Sequence, residues 1–179
     1  MVEHEDLMAA VVFLPLLASI VTLLAGADLS ERHHIHHDTY GVSLVVSRTL
    51  VLVMVFMGVL GGLVGWLCHI GVFNSDSLVP LAFFAAFELT LLVMLIAVVR
   101  YQVMVYDDHL TVRPAFGRTN TIAYDDIDNM EWRPSYLGPN LRDLLIRAGD
   151  GNTLRIWSLL DIEQMLLRID RFDMLRDDE

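Results

Sequence analysis

The chain has 179 residues, of which 55% are hydrophobic, and its mean hydropathy of +0.51 argues against a purely soluble globular protein. Its single cysteine, Cys68, excludes a disulfide within the chain and a cysteine-based zinc site. All 12 basic residues are arginines and 23 residues are acidic, so the net charge is −11 and nucleic-acid binding is not expected.

The first apolar segment covers residues 7–27 and contains no charged residue. Its 21 residues are enough for a helix to cross a hydrocarbon core of about 30 Å. A cleaved signal peptide is the alternative, but the basic region that it needs is replaced by Glu3, Glu5 and Asp6. We therefore predict a retained transmembrane helix, in which Pro15 is tolerated.

A histidine-rich run lies in the polar loop of residues 28–48. Four imidazoles and one carboxylate occur within six residues, at His33, His34, His36, His37 and Asp38. These ligand types suit zinc or nickel, so the run is a candidate metal site. Adjacent histidines cannot all face one ion, and the alternative is a hydrated loop that gains charge as the pH falls towards 6.

The second predicted span, residues 49–73, contains a pattern of glycines. Gly58, Gly62 and Gly65 share one helix face, and Gly61 also lies four residues before Gly65. Small residues at these spacings let helices approach closely. We predict that this face packs against the other spans of the chain or against a second copy of it.

The third predicted span, residues 78–99, is interrupted only by Glu88, which lies near its midpoint. A carboxyl group at this depth is costly and is a candidate functional site. At 1.5 Å per residue Ser19 lies at a similar depth and His69 lies nearer the outer face, so we expect Ser19 or a water molecule to contact Glu88. Glu88 is then a protonated structural residue, a proton-coupling group, or a contact for a partner subunit.

The positions of arginines predict the orientation of the three spans. Arg32 and Arg48 lie in the first loop and Arg100 follows the third span, whereas the N-terminal segment and residues 74–77 contain none. Cytoplasmic segments are enriched in arginine and lysine. We therefore expect a multi-pass protein of the cell membrane with its N-terminus outside and its C-terminal domain in the cytoplasm.

From residue 100 onward the pattern changes to short alternating strands and polar turns. The run Gly149-Asp150-Gly151-Asn152 is a strong hairpin signal. A final apolar stripe has helical spacing, at Leu159, Ile162, Met165, Leu166 and Ile169. These features predict a small antiparallel sheet or barrel over residues 100–172 that is capped by a C-terminal helix, with an acidic tail over residues 173–179.

The order of several short motifs in this half resembles the bacterial pleckstrin-homology-like (PH-like) domains found after membrane helices. The motifs are Arg100-Tyr101-x-Val103, Asp107-Asp108-x-Leu110-x-Val112-Arg113, Gly117-Arg118-Thr119 and Ile122-x-Tyr124-Asp125-Asp126-Ile127, followed by the Gly151 hairpin and the helix. The resemblance implies a bent antiparallel barrel and an interaction or scaffolding module. The predicted fold class is therefore an α+β membrane protein, with three transmembrane helices in residues 1–99 and a PH-like domain in residues 100–172.

We expect neither enzymatic activity nor a cofactor, because the chain lacks a Walker lysine, a Gly-x-Ser-x-Gly motif and a Rossmann glycine pattern. The expected partners are the lipid bilayer and either another protein or a second copy. Specific binding of anionic headgroups is not expected of so acidic a chain. Trp132, Arg133 and Tyr136 form the candidate partner surface, beside the longest loop. The alternatives are a metal-responsive protein that uses the histidine run and an ion-coupled transport subunit that uses Glu88.

Overall fold

The computed structural model describes residues 4–30, 38–73, 78–149, 151–169 and 175–176. It is a mixed α+β structure that divides into two compact units. The first unit contains three long helices, and the second contains the strands and a short helix.

The helical unit consists of α1 (His4–Ser30), α2 (Leu44–His69) and α3 (Leu78–Arg100). By length and composition α2 and α3 can cross a membrane, whereas the described apolar part of α1, Leu7–Thr22, is shorter. That α1 is a transmembrane span stays a prediction. That α2 and α3 cross a membrane also stays a prediction. The second helix begins five residues before the predicted residue 49, because Arg48 lies inside its first turns instead of ending it. A long arginine side chain can extend to the membrane surface from within a helix.

Apolar side chains from all three helices form the interior of this unit. One cluster contains Ala18, Met54, Leu91, Leu92 and Leu95, and a second contains Val11, Leu81 and Phe84. Most other large apolar side chains of the helices are exposed in the isolated chain, for example Phe13, Phe56 and Val79. Such an apolar exterior is expected of helices that are surrounded by lipid.

The first sheet of the second unit is antiparallel, in the order β1-β2-β3-β4. Its strands are β1 (Asp38–Gly41), β2 (Gln102–Val105), β3 (His109–Arg113) and β4 (Asn120–Ala123). The strand β1 belongs to the segment predicted to be a polar loop, and it pairs with β2 from Asp38 opposite Val105 to Gly41 opposite Gln102. The loop prediction was wrong here because the pairing is with a strand some sixty residues away, which a local pattern cannot reveal.

The second sheet has the order β7-β6-β5-β8. Its strands are β5 (Ile127–Ser135), which follows a 3-10 turn at Tyr124–Asp126, β6 (Gly138–Ala148), β7 (Thr153–Ile156) and β8 (Leu175–Arg176). The last of these pairs in parallel with β5 and falls within the predicted acidic tail, so part of that tail is a strand. The predicted antiparallel strands are confirmed, whereas a closed PH-like barrel stays a prediction.

A short helix, α4 (Ile162–Ile169), follows β7 as predicted and precedes β8. Asp161 precedes it, and the Asp161 Oδ1 accepts a hydrogen bond from the backbone N–H of Gln164 at 3.2 Å, which is the geometry of an N-cap. One face of the helix is buried, at Ile162, Met165, Leu166 and Ile169. The predicted apolar stripe is therefore the buried face, although the helix begins after Leu159.

Candidate functional site

Glu88 lies on α3 in the interior of the helical unit, and its exposed fraction is 0%. Neither of its carboxyl oxygens has a hydrogen-bond partner among the described residues. Its Oε1 lies 3.7 Å from the position that a Cβ atom would occupy on Gly58 of α2. Among its described residues the helical unit therefore contains a fully buried acid without a hydrogen-bond partner.

Ser19, the partner expected for Glu88, is bonded elsewhere. Its Oγ donates to the backbone carbonyl of Pro15 at 2.9 Å, one turn earlier in the same helix. A serine inside a helix commonly bonds the carbonyl four residues before it, because that acceptor is always in reach. The Ser19 part of the expectation was therefore wrong, whereas a water molecule as the partner of Glu88 stays a prediction. His69 is an exposed residue at the end of α2, consistent with its predicted distance from Glu88.

The glycines of α2 divide into two groups. Gly58, Gly61 and Gly65 are buried against other helices, and a Cβ atom on Gly61 would lie 2.8 Å from the Phe84 ring. A Cβ atom on Gly62 would meet nothing within 4 Å. Within one chain Gly61 thus replaces Gly62 in the predicted packing face, and packing against a second copy stays a prediction. At 3.6 residues per turn both glycines flank the face of Gly58 and Gly65, so spacing alone could not choose between them.

The predicted metal ligands His33, His34, His36 and His37 lie outside the described residues. Asp38 is described, and its Oδ2 accepts a hydrogen bond from Arg168 Nε at 3.1 Å. Within the described residues no group of three or more histidine, cysteine or acidic side chains is arranged to bind a metal ion. Asp38 therefore has a structural ion pair, and the site at the four histidines stays a prediction.

In the second unit, the turn between β5 and β6 presents an exposed aromatic ring. Tyr136 is 92% exposed, and the neighbouring Leu137 and Leu141 are also exposed. The guanidinium carbon of Arg155 lies 4.2 Å from the centroid of the Tyr136 ring. Arg155 also donates a hydrogen bond to the carbonyl of Pro134 at 2.9 Å. The turn therefore exposes an aromatic ring and two leucines, and Arg155 packs against the face of that ring.

Arg155 is in turn positioned by a buried carboxylate. Asp143 is 2% exposed, and its Oδ2 accepts a hydrogen bond from Arg155 Nε at 2.7 Å. Its Oδ1 accepts one from the backbone N–H of Ser158 at 3.0 Å. Burial acts to raise the pKa of Asp143, but hydrogen bonds from Ser158, Ser135 and Arg155 outweigh it, and the pKa lies below its ordinary value. Asp143 is therefore a fully bonded carboxylate.

An aromatic pair supports the strand that carries Arg155. The Tyr101 hydroxyl donates to the backbone carbonyl of Arg155 at 3.2 Å and accepts from the backbone N–H of Trp157 at 3.2 Å. The two rings are stacked, with centroids 4.3 Å apart. Burial raises the pKa of Tyr101 to about 12, so its hydroxyl stays protonated at neutral pH. The arginine is thus bonded through both its side chain and its backbone.

The predicted partner surface is only partly contiguous. Trp132 is half-buried and lies opposite the buried Leu144 on the core face of the sheet. Arg133 points to the other face, as alternate strand residues do, and donates to Glu131 at 2.6 Å. This hydrogen bond is the main reason that the pKa of Glu131 is lowered. Trp132 and Arg133 therefore lie on opposite faces of the sheet, and the contact described for the Tyr136 ring is with Arg155.

Sequence reasoning missed Asp143 and Arg155. Each occupies an ordinary polar position in an alternating strand, and the bonds between them cross from β6 to β7. The one available signal was their position on two strands already predicted to form a hairpin. No family model, curated protein or solved structure matches the chain.

Proposed function

We propose that the chain is an integral membrane protein whose second unit is an interaction or scaffolding module that binds a protein partner and has no catalytic role. Two apolar helices of spanning length support the membrane part of this proposal. The arginine distribution supports an orientation with the second unit in the cytoplasm. The resemblance to membrane-anchored PH-like domains supports the same class of function.

The observation that carries the binding role is the exposed Tyr136 ring, which packs against the hydrogen-bonded Arg155. Tyrosine and arginine are the residue types, with tryptophan, that dominate binding energy at protein interfaces. The Tyr136 ring is stacked on Arg155, and Arg155 is bonded to the buried Asp143. A side chain that is ordered before binding loses less conformational entropy on association. The surface formed by Tyr136 and Arg155 is therefore suited to act as the centre of a protein interface.

The charges around the turn favour a protein with an acidic group over a lipid surface. Arg142 is exposed near the tip, and no carboxylate pairs with it in the described part of the chain. Residues 100–179 as a whole carry 10 arginines and 15 acidic residues, a net charge of −5, which opposes an anionic leaflet. We therefore expect a partner segment that offers an apolar side chain for Tyr136 and a carboxylate for Arg142.

Site-specific photocrosslinking in native membranes tests this proposal. A photoreactive residue replaces Tyr136 in one variant and Phe116, which is 63% exposed outside this turn, in a matched control. We expect a discrete protein adduct from position 136 that is absent from position 116 and is reduced by Arg142→Glu. Adducts to lipid alone, adducts to a second copy of the chain, or the same adducts from both positions would contradict a separate protein partner at this surface.

A further inference from the structure

We propose that Glu88 and the backbone carbonyl of Val11 form a proton-binding site inside the helical unit. Glu88 is a neutral carboxylic acid there, and its hydroxyl donates a hydrogen bond to the Val11 oxygen directly or through one water molecule. The ligand of the site is the proton, and the site joins α3 to α1.

The first support comes from Pro15, which lies inside α1 four residues after Val11. In a regular helix the N–H of residue 15 would donate to the carbonyl of residue 11, but proline has no N–H. Val11 is completely buried, so water from outside the unit cannot replace the missing donor. The Val11 carbonyl therefore needs a donor from another source, since a buried acceptor without one is costly.

The second support is the position of three groups around Gly58. The Cβ position of Gly58 lies 3.0 Å from the Val11 oxygen, 2.9 Å from Pro15 Cγ and 3.7 Å from Glu88 Oε1. The unbonded acid and the carbonyl that lacks its helical donor are thus near one point. A side chain at residue 58 would fill that point, so glycine is needed for the two oxygens to share it.

The third support is the charge of the surroundings. The apolar segments at residues 7–27, 49–73 and 78–99 contain no charged residue except Glu88. The other groups that could titrate, Cys68 and His69, lie ten or more residues along α2 from Gly58, or about 15 Å. An ionised Glu88 would therefore be a buried charge with no counter-ion in these three apolar segments, next to a carbonyl that repels it. The protonated acid instead supplies the donor that the carbonyl lacks.

Folding equilibria of the full chain in lipid bicelles test the site through pairs of variants. Glu88→Gln retains a donor, and we expect its folding equilibrium constant to stay within about threefold of the original. Glu88→Leu removes the donor and should lower that constant about tenfold. In a Pro15→Ala background the N–H of residue 15 can donate to Val11, so the loss caused by Glu88→Leu should shrink to about threefold or less.

The Ser19→Ala background is the matched control, because Ser19 bonds the Pro15 carbonyl and not Val11. There the Glu88→Leu loss should stay near tenfold. If Glu88→Leu does not fold, its recovery in the Pro15→Ala background supports the site, and failure in both backgrounds contradicts it. A Glu88→Leu variant without any loss, a loss unchanged by Pro15→Ala, or equal losses in the Gln and Leu variants would also overturn the proposal.

Discussion

Each unit contains a buried acid, Glu88 in the helical unit and Asp143 in the second unit. The two side chains are similarly buried but differ in their hydrogen-bond partners. Asp143 accepts hydrogen bonds from an arginine and a backbone N–H, so it is stable as an anion. Glu88 has no described partner. The comparison indicates that two equally buried acids can differ in charge and role because their hydrogen-bond partners differ.

The two roles follow from this difference. As an anion Asp143 positions Arg155, which supports the exposed ring of Tyr136, so its role is to order a surface. As the neutral acid that we propose, Glu88 can release its proton and bind it again, and the apolar segments around it contain no cation for it to hold in place.

Asp143→Ala should have the largest effect. It removes the anion that Arg155 faces in a mostly buried site, and we expect a loss of about 3 kcal/mol in the free energy of unfolding. Denaturant unfolding followed by tryptophan fluorescence, in a Trp66→Phe and Trp132→Phe background that leaves Trp157 as the reporter, measures it. Asp126→Ala, at an exposed acid of the same unit, is the control and should change stability by about 0.5 kcal/mol or less. Equal losses would mean that Asp143 has no special structural role.

Gly61→Ala should destabilise the helical unit through packing alone. The added methyl group would lie 2.8 Å from Phe84 Cγ and 2.9 Å from Phe84 Cβ, and such overpacking costs about 1–3 kcal/mol. The adjacent Gly62→Ala meets open space and should be neutral or slightly stabilising. Unfolding in bicelles compares the two. A larger loss for Gly62→Ala would contradict the packing of this helix.

Acid should destabilise the second unit through Asp143. Because its folded pKa lies below the ordinary value of 3.8, the ionised group adds stability above that value. That contribution disappears as the pH falls from 3.8 through the lower folded pKa. Unfolding measured across this range should show a steeper loss in the original protein than in Asp143→Asn, which cannot titrate. Parallel pH profiles would contradict the assignment of Asp143 as a bonded anion.

Arg168→Ala should have the smallest effect. Arg168 lies between Asp38 at 3.1 Å and Asp107 at 3.0 Å, but all three side chains are about half exposed or more. Exposed ion pairs contribute about 0.2–1 kcal/mol, and salt screens them. The loss should therefore be within this range and should shrink further at high salt. A loss as large as that of Asp143→Ala would show that exposure does not weaken an ion pair here.

Local patterns predicted the elements better than the contacts between them. The apolar runs predicted α2 and α3, and the buried stripe from Ile162 to Ile169 predicted α4, because each pattern lies within one element. The strand at Asp38–Gly41 was missed because its partner is distant in sequence. For the same reason Glu88 was identified as unusual, but the nearby Val11 carbonyl was not.

Side chains that serve another residue were the hardest to predict. Tyr136 was singled out as an aromatic residue beside a loop, whereas the Asp143–Arg155 pair that orders it looks like normal strand alternation. Trp132 was grouped with Arg133 by proximity in sequence, yet adjacent strand residues face opposite sides of a sheet. Spacing predicts which residues share a face, but the partners across strands come only from the fold.

Infrared difference spectroscopy of the full chain in lipid at neutral pH tests the central contrast most directly. Subtracting the Glu88→Gln spectrum from that of the original protein should reveal the C=O stretch of a protonated carboxylic acid. Subtracting the Asp143→Asn spectrum should reveal only carboxylate bands. A carboxylate band from Glu88, or a protonated acid band from Asp143, would contradict the account.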